Sequence, residues 1–199
     1  MTDDGTLPLI LGCGIFRKEV AYLVRKNGWR IDTAFIDSGL HYSFHKLGRG
    51  LTGSLAKRTG REIIVFYGCC HPLMDRMVAD AHAIRVQGQN CIDILLGRER
   101  FDRELAAGAY FLLEDWAVRW DEITGRVFGS RPEIIQEIFQ GDRRTMLALR
   151  TPCSGDFTAA AERAATLVGL PLIWEDVGLD HLEETLRVAI ESRREGGGD

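Results

Sequence analysis

What this sequence lacks removes several classes of protein at once. No apolar run approaches the roughly 20 residues that a membrane-spanning helix needs, so no membrane span is expected. There is no basic stripe. The 25 Lys and Arg stand scattered among 29 Asp and Glu, for a net charge of −4, and general nucleic-acid binding wants a basic surface. The N-terminal "MTDDGT" is acidic and polar, unlike a secretion signal, and a cytoplasmic protein is the expectation. No C-x-x-C occurs anywhere, so the cysteine spacing is not that of a zinc finger. Low-complexity tracts and sustained repeats are absent as well.

Several signature loops are also missing. "LGCGIF" is followed by Arg17 where a third Gly or Ala would complete a dinucleotide fingerprint. "GLTGSLAKRTG" lacks the Gly-Lys-Ser/Thr ending of a phosphate-binding loop. No G-x-S-x-G elbow exists, so an α/β-hydrolase reading has no support from the chain. Ser43 precedes His45 where a D-x-H-x-x-G corrinoid fingerprint requires Asp, which argues against direct base-displaced corrinoid binding.

What is present is an alternation. The 199 residues, 45% hydrophobic and 27% charged, are ample for a buried core without disulfides. "LPLILG", "IDTAFIDS", "EIIVFYG", "HAIRVQ", "AYFLLE", "MLALRT" and "LPLIWED" read as strands. Helical patterns fall between them, such as "RKEVAYLVRKNGW" with Gly28 as its stop, "LTGSLAKRTG", "PLMDRMVADA" with Pro72 at its first position, and "DFTAAAERAATLVG" with Ser154 as its cap. Such alternation predicts an α/β fold, layered, with a mostly parallel sheet and helices on both faces. No linker divides the chain, so residues 1–192 are expected to form a single domain, followed by a disordered tail at 193–199, "RREGGGD".

In such a sheet, ligands bind beyond the carboxyl ends of the strands. The first four predicted strands are followed by "GCG", "SGLHYSFH", "GCCH" and "GQNC", and the fifth cysteine, Cys153, also follows a strand. All five cysteines are therefore expected on one edge. Cys13, Cys70 and Cys91 with His41 would complete a tetrahedral zinc set. The three cysteines alone would suit an iron–sulfur (4Fe–4S) cluster with one iron open to substrate. Cys91 at a helix start is expected to have its thiol favoured as thiolate. Cys69 and Cys70 are adjacent on an extended segment, so only one can face the crevice.

Each of these residues also has a plainer reading. A free Cys is usually a small buried hydrophobe, His45, His71, His82 and His181 read as loop or surface residues, and Asp37 as a turn residue. Trp116 and Trp120 read as core residues of one helix. Two functional rivals stand beside the metal site: a nucleophilic Cys70 with His41, or less well His71, as its base, and a non-catalytic accessory or cofactor-handling protein.

"LGCG", "LHYSFHKL", "YGCC", "NCIDILLG" and "GAYFLLEDW" together resemble the DUF1638 family of uncharacterised bacterial and archaeal proteins, over roughly Leu11 to Trp116. The resemblance places Cys13, His41, Cys70, Cys91 and Trp116 on motif positions. His71 stands where Gly is expected, and Cys69 is an extra thiol. It implies an α/β protein acting on a small-molecule substrate, with a corrinoid-dependent methyltransferase system as partner, but no agreed activity.

Overall fold

The computed structural model describes residues 7–129 and 131–195. Its strands form two sheets, with orders β2-β1-β3-β4 and β5-β6-β7, and every pairing is parallel. The fold is α/β. The chain packs as two compact units, residues to Leu95 with those from Asp180 onward, and Leu96–Leu179, over the span read above as a single domain.

In the first unit, β1 (Leu9–Cys13) is buried at every residue. It pairs with β2 (Asp32–Ile36), with Leu9 opposite Asp32 and Cys13 opposite Ile36. On its other side lies β3 (Ile63–Phe66), with Leu9 opposite Ile63, and β4 (Ile84–Arg85) continues from β3. An apolar run needs cover on both faces, and alternate residues divide between them. Leu9, Leu11 and Cys13, with Ile63, Val65 and Tyr67, share a core with Leu47, Leu51 and Leu55 of α2 (Phe44–Ala56) and Met74 and Val78 of α3 (Met74–Asp80). The intervening residues turn to the other face, where Phe66 meets Phe16 edge-on at 6.2 Å between ring centres. There α1 (Arg17–Lys26) is tied to α10 (Asp180–Glu195) by a 2.6 Å ion pair, Lys26 to Glu183.

Connections leave β1 toward β2 on one side and β3 on the other, so the order reverses between β1 and β3. That reversal opens a crevice at the strands' carboxyl ends, where Gly12–Gly14 and Gly68–Cys70 lie. The loops expected to carry Cys13 and Cys70 follow these two strands.

The second unit carries α5 (Arg98–Ala106), β5 (Ala109–Leu112), α6 (Glu114–Val118), α7 (Trp120–Phe128), α8 (Pro132–Asp142), β6 (Thr145–Arg150), α9 (Thr158–Val168) and β7 (Leu172–Asp176). Ala160, Ala161, Ala164 and Ala165 give α9 a small-residue face that packs in a core with Trp120, Ile135 and Phe139. Cys153 follows β6 here, so it belongs to a different sheet from the other four cysteines.

Several boundaries differ from the sequence reading. α2 starts at Phe44 rather than near Leu51, because Ser43 caps it by accepting from the Lys46 N–H at 3.4 Å. α3 starts at Met74, leaving Pro72 in the turn before it. "CIDILLGRERFDREL" is two helices, α4 (Cys91–Leu96) and α5, parted at Gly97 with φ 81°. Trp116 and Trp120 lie on separate helices. The N-cap of α9 is Phe157, with Asp156 before it accepting from the Thr158 N–H at 3.0 Å, while Ser154 accepts from the Thr151 N–H. Of the tail, residues 193–195 continue α10 and residues 196–199 lie outside the described residues. No helix among the described residues is long and apolar enough to cross a membrane.

Candidate functional site

Cys13 ends β1 with 3% of its surface exposed. His41 lies in a 3-10 turn (Ser38–Tyr42) directly after β2, a turn capped by Asp37, whose Oδ1 accepts from the Gly39 N–H at 2.8 Å. The parallel pairing of Cys13 with Ile36 brings the two strand ends together, and His41 Nδ1 lies 3.8 Å from Cys13 Sγ. Nδ1 is also 3.0 Å from the Ser38 carbonyl oxygen. A carbonyl only accepts, so Nδ1 carries the proton and Nε2 presents its lone pair. Nε2 is buried and has no hydrogen-bond partner among the described residues. Burial holds the imidazole below its ordinary 6.5, against a smaller upward pull from the Ser38 contact, so the ring is neutral at neutral pH.

Tyr67 closes the same space, its ring centre 5.8 Å from that of His41. Its hydroxyl is buried, with no partner that meets ordinary hydrogen-bond geometry among the described residues, and the Cys13 thiol lies close to it. Burial drives the phenol well above its ordinary range, and negative charge on Cys13 and Cys70 would drive it further. Tyr67 was not singled out from the sequence, although its place two residues beyond Val65 puts it on Cys13's face of the sheet.

Cys70 and Cys91 come together because two loops are locked. The parallel register of β3 with β4 persists beyond the strands, and the Cys69 N–H donates to the Gln89 carbonyl at 2.7 Å. Gly68 permits this approach: a β-carbon there would stand 2.4 Å from the Gln89 carbonyl. Arg85 of β4 fastens both loops, its Nη1 donating to the carbonyls of Val86 at 3.1 Å and Gly88 at 3.2 Å, and its Nε to Asp75 at 2.9 Å. Cys70 turns in and packs against the core that holds Cys13, while Cys69 is exposed with its sulfur 3.9 Å from the Gly88 carbonyl.

The expected activation of Cys91 by its helix does not hold. Enclosure of the thiol pushes it up to about 12, with the charge of Cys70 adding to this and the nearby amides only partly opposing it. Burial is the dominant cause, and beside it Asn90 competes for the helix donors, its Oδ1 accepting from the Ile92 and Asp93 N–H groups at 2.9 and 3.0 Å. The first turn of α4 thus spends its donors on its own cap. Asp93 reaches back to the Gln89 N–H at 2.6 Å and completes the reciprocal arrangement. Burial likewise raises Cys70, followed by a hydrogen bond at Gly68 that lowers it and the influence of Cys69 that raises it.

The remaining candidates stand apart. His71 Nδ1 accepts from the Leu73 N–H at 3.0 Å, and its ring meets Phe44 edge-on at 5.9 Å, so it is not poised as a base for Cys70. His45 is exposed on α2. Trp116 packs at the core of the second unit, its indole N–H buried without a partner. The structure therefore assembles Cys13, His41, Tyr67, Cys70 and Cys91 at one set of strand ends. Among the described residues, no three His, Cys, Asp or Glu side chains surround a common point closely enough to hold a metal ion.

A model of the family described as a protein of unknown function, DUF1638, matches residues 35–186. The match takes in His41, Cys70, Cys91 and Trp116, begins after Cys13, and continues well past Trp116. No curated protein matches the chain. Among solved structures, the chain is similar to an alpha/beta hydrolase from Novosphingobium aromaticivorans, at 14% identity, with a TM-score of 0.33 and coverage of 95% of this chain and 90% of that one.

Proposed function

The chain belongs to the DUF1638 family, and from that premise we propose a metal-dependent protein whose site is the strand-end cluster, with Cys13, His41, Cys70 and Cys91 as ligands. The observation that carries this reading is the His41 Nε2: neutral, buried and without a partner for its lone pair among the described residues, on a ring that lies beside Cys13 at the core against which Cys70 packs. A buried acceptor without a partner costs about 1–3 kcal/mol, and a soft cation is a partner that relieves it.

The donor set fits such an ion. Three sulfurs and an imidazole suit zinc, and the three sulfurs suit an iron–sulfur cluster. Without a cation, burial keeps Cys70 and Cys91 as thiols; a bound cation reverses that preference and deprotonates them. The thiol side chains would have to turn inward to share one ion. When bound, zinc or an open iron would supply Lewis-acid chemistry toward a small substrate.

The chain's own residues do the rest. Ser38 fixes the His41 tautomer, Gly68 and Arg85 hold the two cysteine loops together, and the aromatic wall of Tyr67 excludes water on one side. Its neutral hydroxyl can donate to a bound group. In a reducing cytoplasm, the setting we propose, the five cysteines stay out of disulfides. Corrinoid-dependent methyl transfer is the proposed context, carried by the family resemblance alone.

The test is elemental analysis and visible absorbance of anaerobically purified protein. Stoichiometric zinc in a colourless sample, or iron with sulfide absorbance, is expected in the wild type and lost in His41→Ala and Cys91→Ala. A wild type that stays metal-free after anaerobic reconstitution overturns the proposal.

A further inference from the structure

The opposite edge of the first sheet holds a second recess, independent of the metal reading. It has a volume of about 530 Å³ and opens where α2 and α3 end, beside the Thr59–Glu62 turn that leads into β3 and the last turns of α10. That size falls within the range of small-molecule sites. Leu55 and Met77 give it apolar walls, and Arg61, Glu62, Asp80, His82 and Arg193 give it polar ones, with Asp80 itself paired to Arg76 at 3.8 Å.

The two arginines differ in what they have left to offer. Arg61 donates through Nε to the Leu7 carbonyl at 2.7 Å and pairs with Asp32. Arg193 forms no side-chain hydrogen bond or ion pair among the described residues, and its Nε is buried without a partner. Glu62 lines the same recess but does not pair with it. A guanidinium N–H taken from water and left unpaired is costly, and its best complement is a carboxylate, which accepts charge-assisted bonds.

His82 adds a second, separate observation. It follows the C-cap of α3 with φ 50°, the left-handed conformation where glycine is the usual residue. A side chain there is strained. The backbone at this point would be better served by glycine, yet an imidazole is placed on the recess wall.

We propose that this recess binds a small amphiphilic carboxylate. Its headgroup is met by Arg193 with His82 beside it, and its apolar part lies against Leu55 and Met77. The site is at the amino ends of the strands, at the opposite edge from the cysteine cluster, so its ligand is an effector or a carried molecule rather than the species that meets Cys13 and His41.

The test is a titration of the isotope-labelled full chain with sodium hexanoate, followed by amide chemical shifts, with hexylammonium chloride as the control of opposite charge. Hexanoate is expected to give saturable shifts centred on Leu55, Met77, His82 and Arg193, and Arg193→Gln to weaken binding by about tenfold or more while leaving the rest of the spectrum in place. Absence of saturable shifts, equal binding of hexylammonium, or unchanged affinity in Arg193→Gln overturns the proposal.

Discussion

His41 Nδ1 lies 3.0 Å from the carbonyl oxygen of Ser38, and this contact decides which nitrogen of the ring is open. The proton is held toward the backbone, so the lone pair is on the buried Nε2 of a ring that packs against Tyr67. Cys13 sits 3.8 Å from the same Nδ1, on the protonated side, so the neutral imidazole is not arranged to take a proton from that sulfur. In this tautomer Cys13 and His41 do not form a nucleophile–base pair.

Acid should destabilise the metal-free protein through this ring. Burial depresses the folded pKa of His41 below 6.5, so as pH falls through about 6.5 the unfolded chain takes up a proton that the folded chain refuses. The contribution is fully present above that value and is lost below it, at up to about 1.4 kcal/mol per pH unit, until the folded pKa is reached. Urea midpoints between about pH 8 and pH 5 measure the slope. His41→Gln should flatten it; an undiminished slope in the variant would assign the proton elsewhere.

Thiol reactivity should rank by enclosure. Cys69 is exposed, whereas burial raises Cys70, pushes Cys91 up to about 12, and leaves Cys13 with 3% of its surface. With iodoacetamide near about pH 8, where thiolate fraction sets the rate, peptide mapping should show Cys69 modified before Cys70, Cys91 and Cys13. First reaction at Cys70 would instead support the nucleophile reading.

The legibility of this structure in its sequence is uneven for physical reasons. β3 was plain because Ile63–Phe66 is a continuous apolar run, and the stop at Gly28 because its φ of 62° suits glycine. The inward turn of Cys70 and outward turn of Cys69 follow from strand alternation alone. α2 was cut short because Gly48, Gly50 and Gly53 interrupt the propensity signal, while its apolar face, Leu47, Leu51 and Leu55, continues underneath. Asn90 was overlooked beside Cys91, though it decides where the helix donors go. The division into two units has no composition signal: the chain repeats the same strand–helix alternation on both sides of Leu95, and only pairing partners, a long-range property, separate the sheets.

Two glycine substitutions should move stability in opposite directions. Gly68→Ala places a methyl 2.4 Å from the Gln89 backbone and 2.5 Å from the Asn90 nitrogen. Backbone cannot rotate away as a side chain would, so a loss of about 1–3 kcal/mol or more is expected. Gly53 lies inside α2 with nothing within 4 Å of the added carbon, and Gly53→Ala should stabilise by about 0.5–1 kcal/mol. Urea denaturation of both variants checks the pair. A neutral Gly68→Ala would mean the two cysteine loops are not locked as described.

Asn90→Ala separates the support of the site from its ligands. The substitution removes the acceptor for the Ile92 and Asp93 N–H groups, at a cost of about 0.5–2 kcal/mol in stability, and contributes no ligand itself. It should also loosen the segment that places Cys91 beside Cys70 and leave the Ile92 N–H, which Asn90 Oδ1 now shares, to the Cys91 sulfur alone. The thiol is then expected to fall from about 12, and Cys91 to become more reactive toward iodoacetamide. Metal, if held as proposed, should be retained but released faster to a chelator, whereas Cys91→Ala should not retain it. If Asn90→Ala destabilises the chain while Cys91 reactivity stays unchanged, the cap supports the helix alone, and enclosure without competition for N–H groups accounts for the raised thiol.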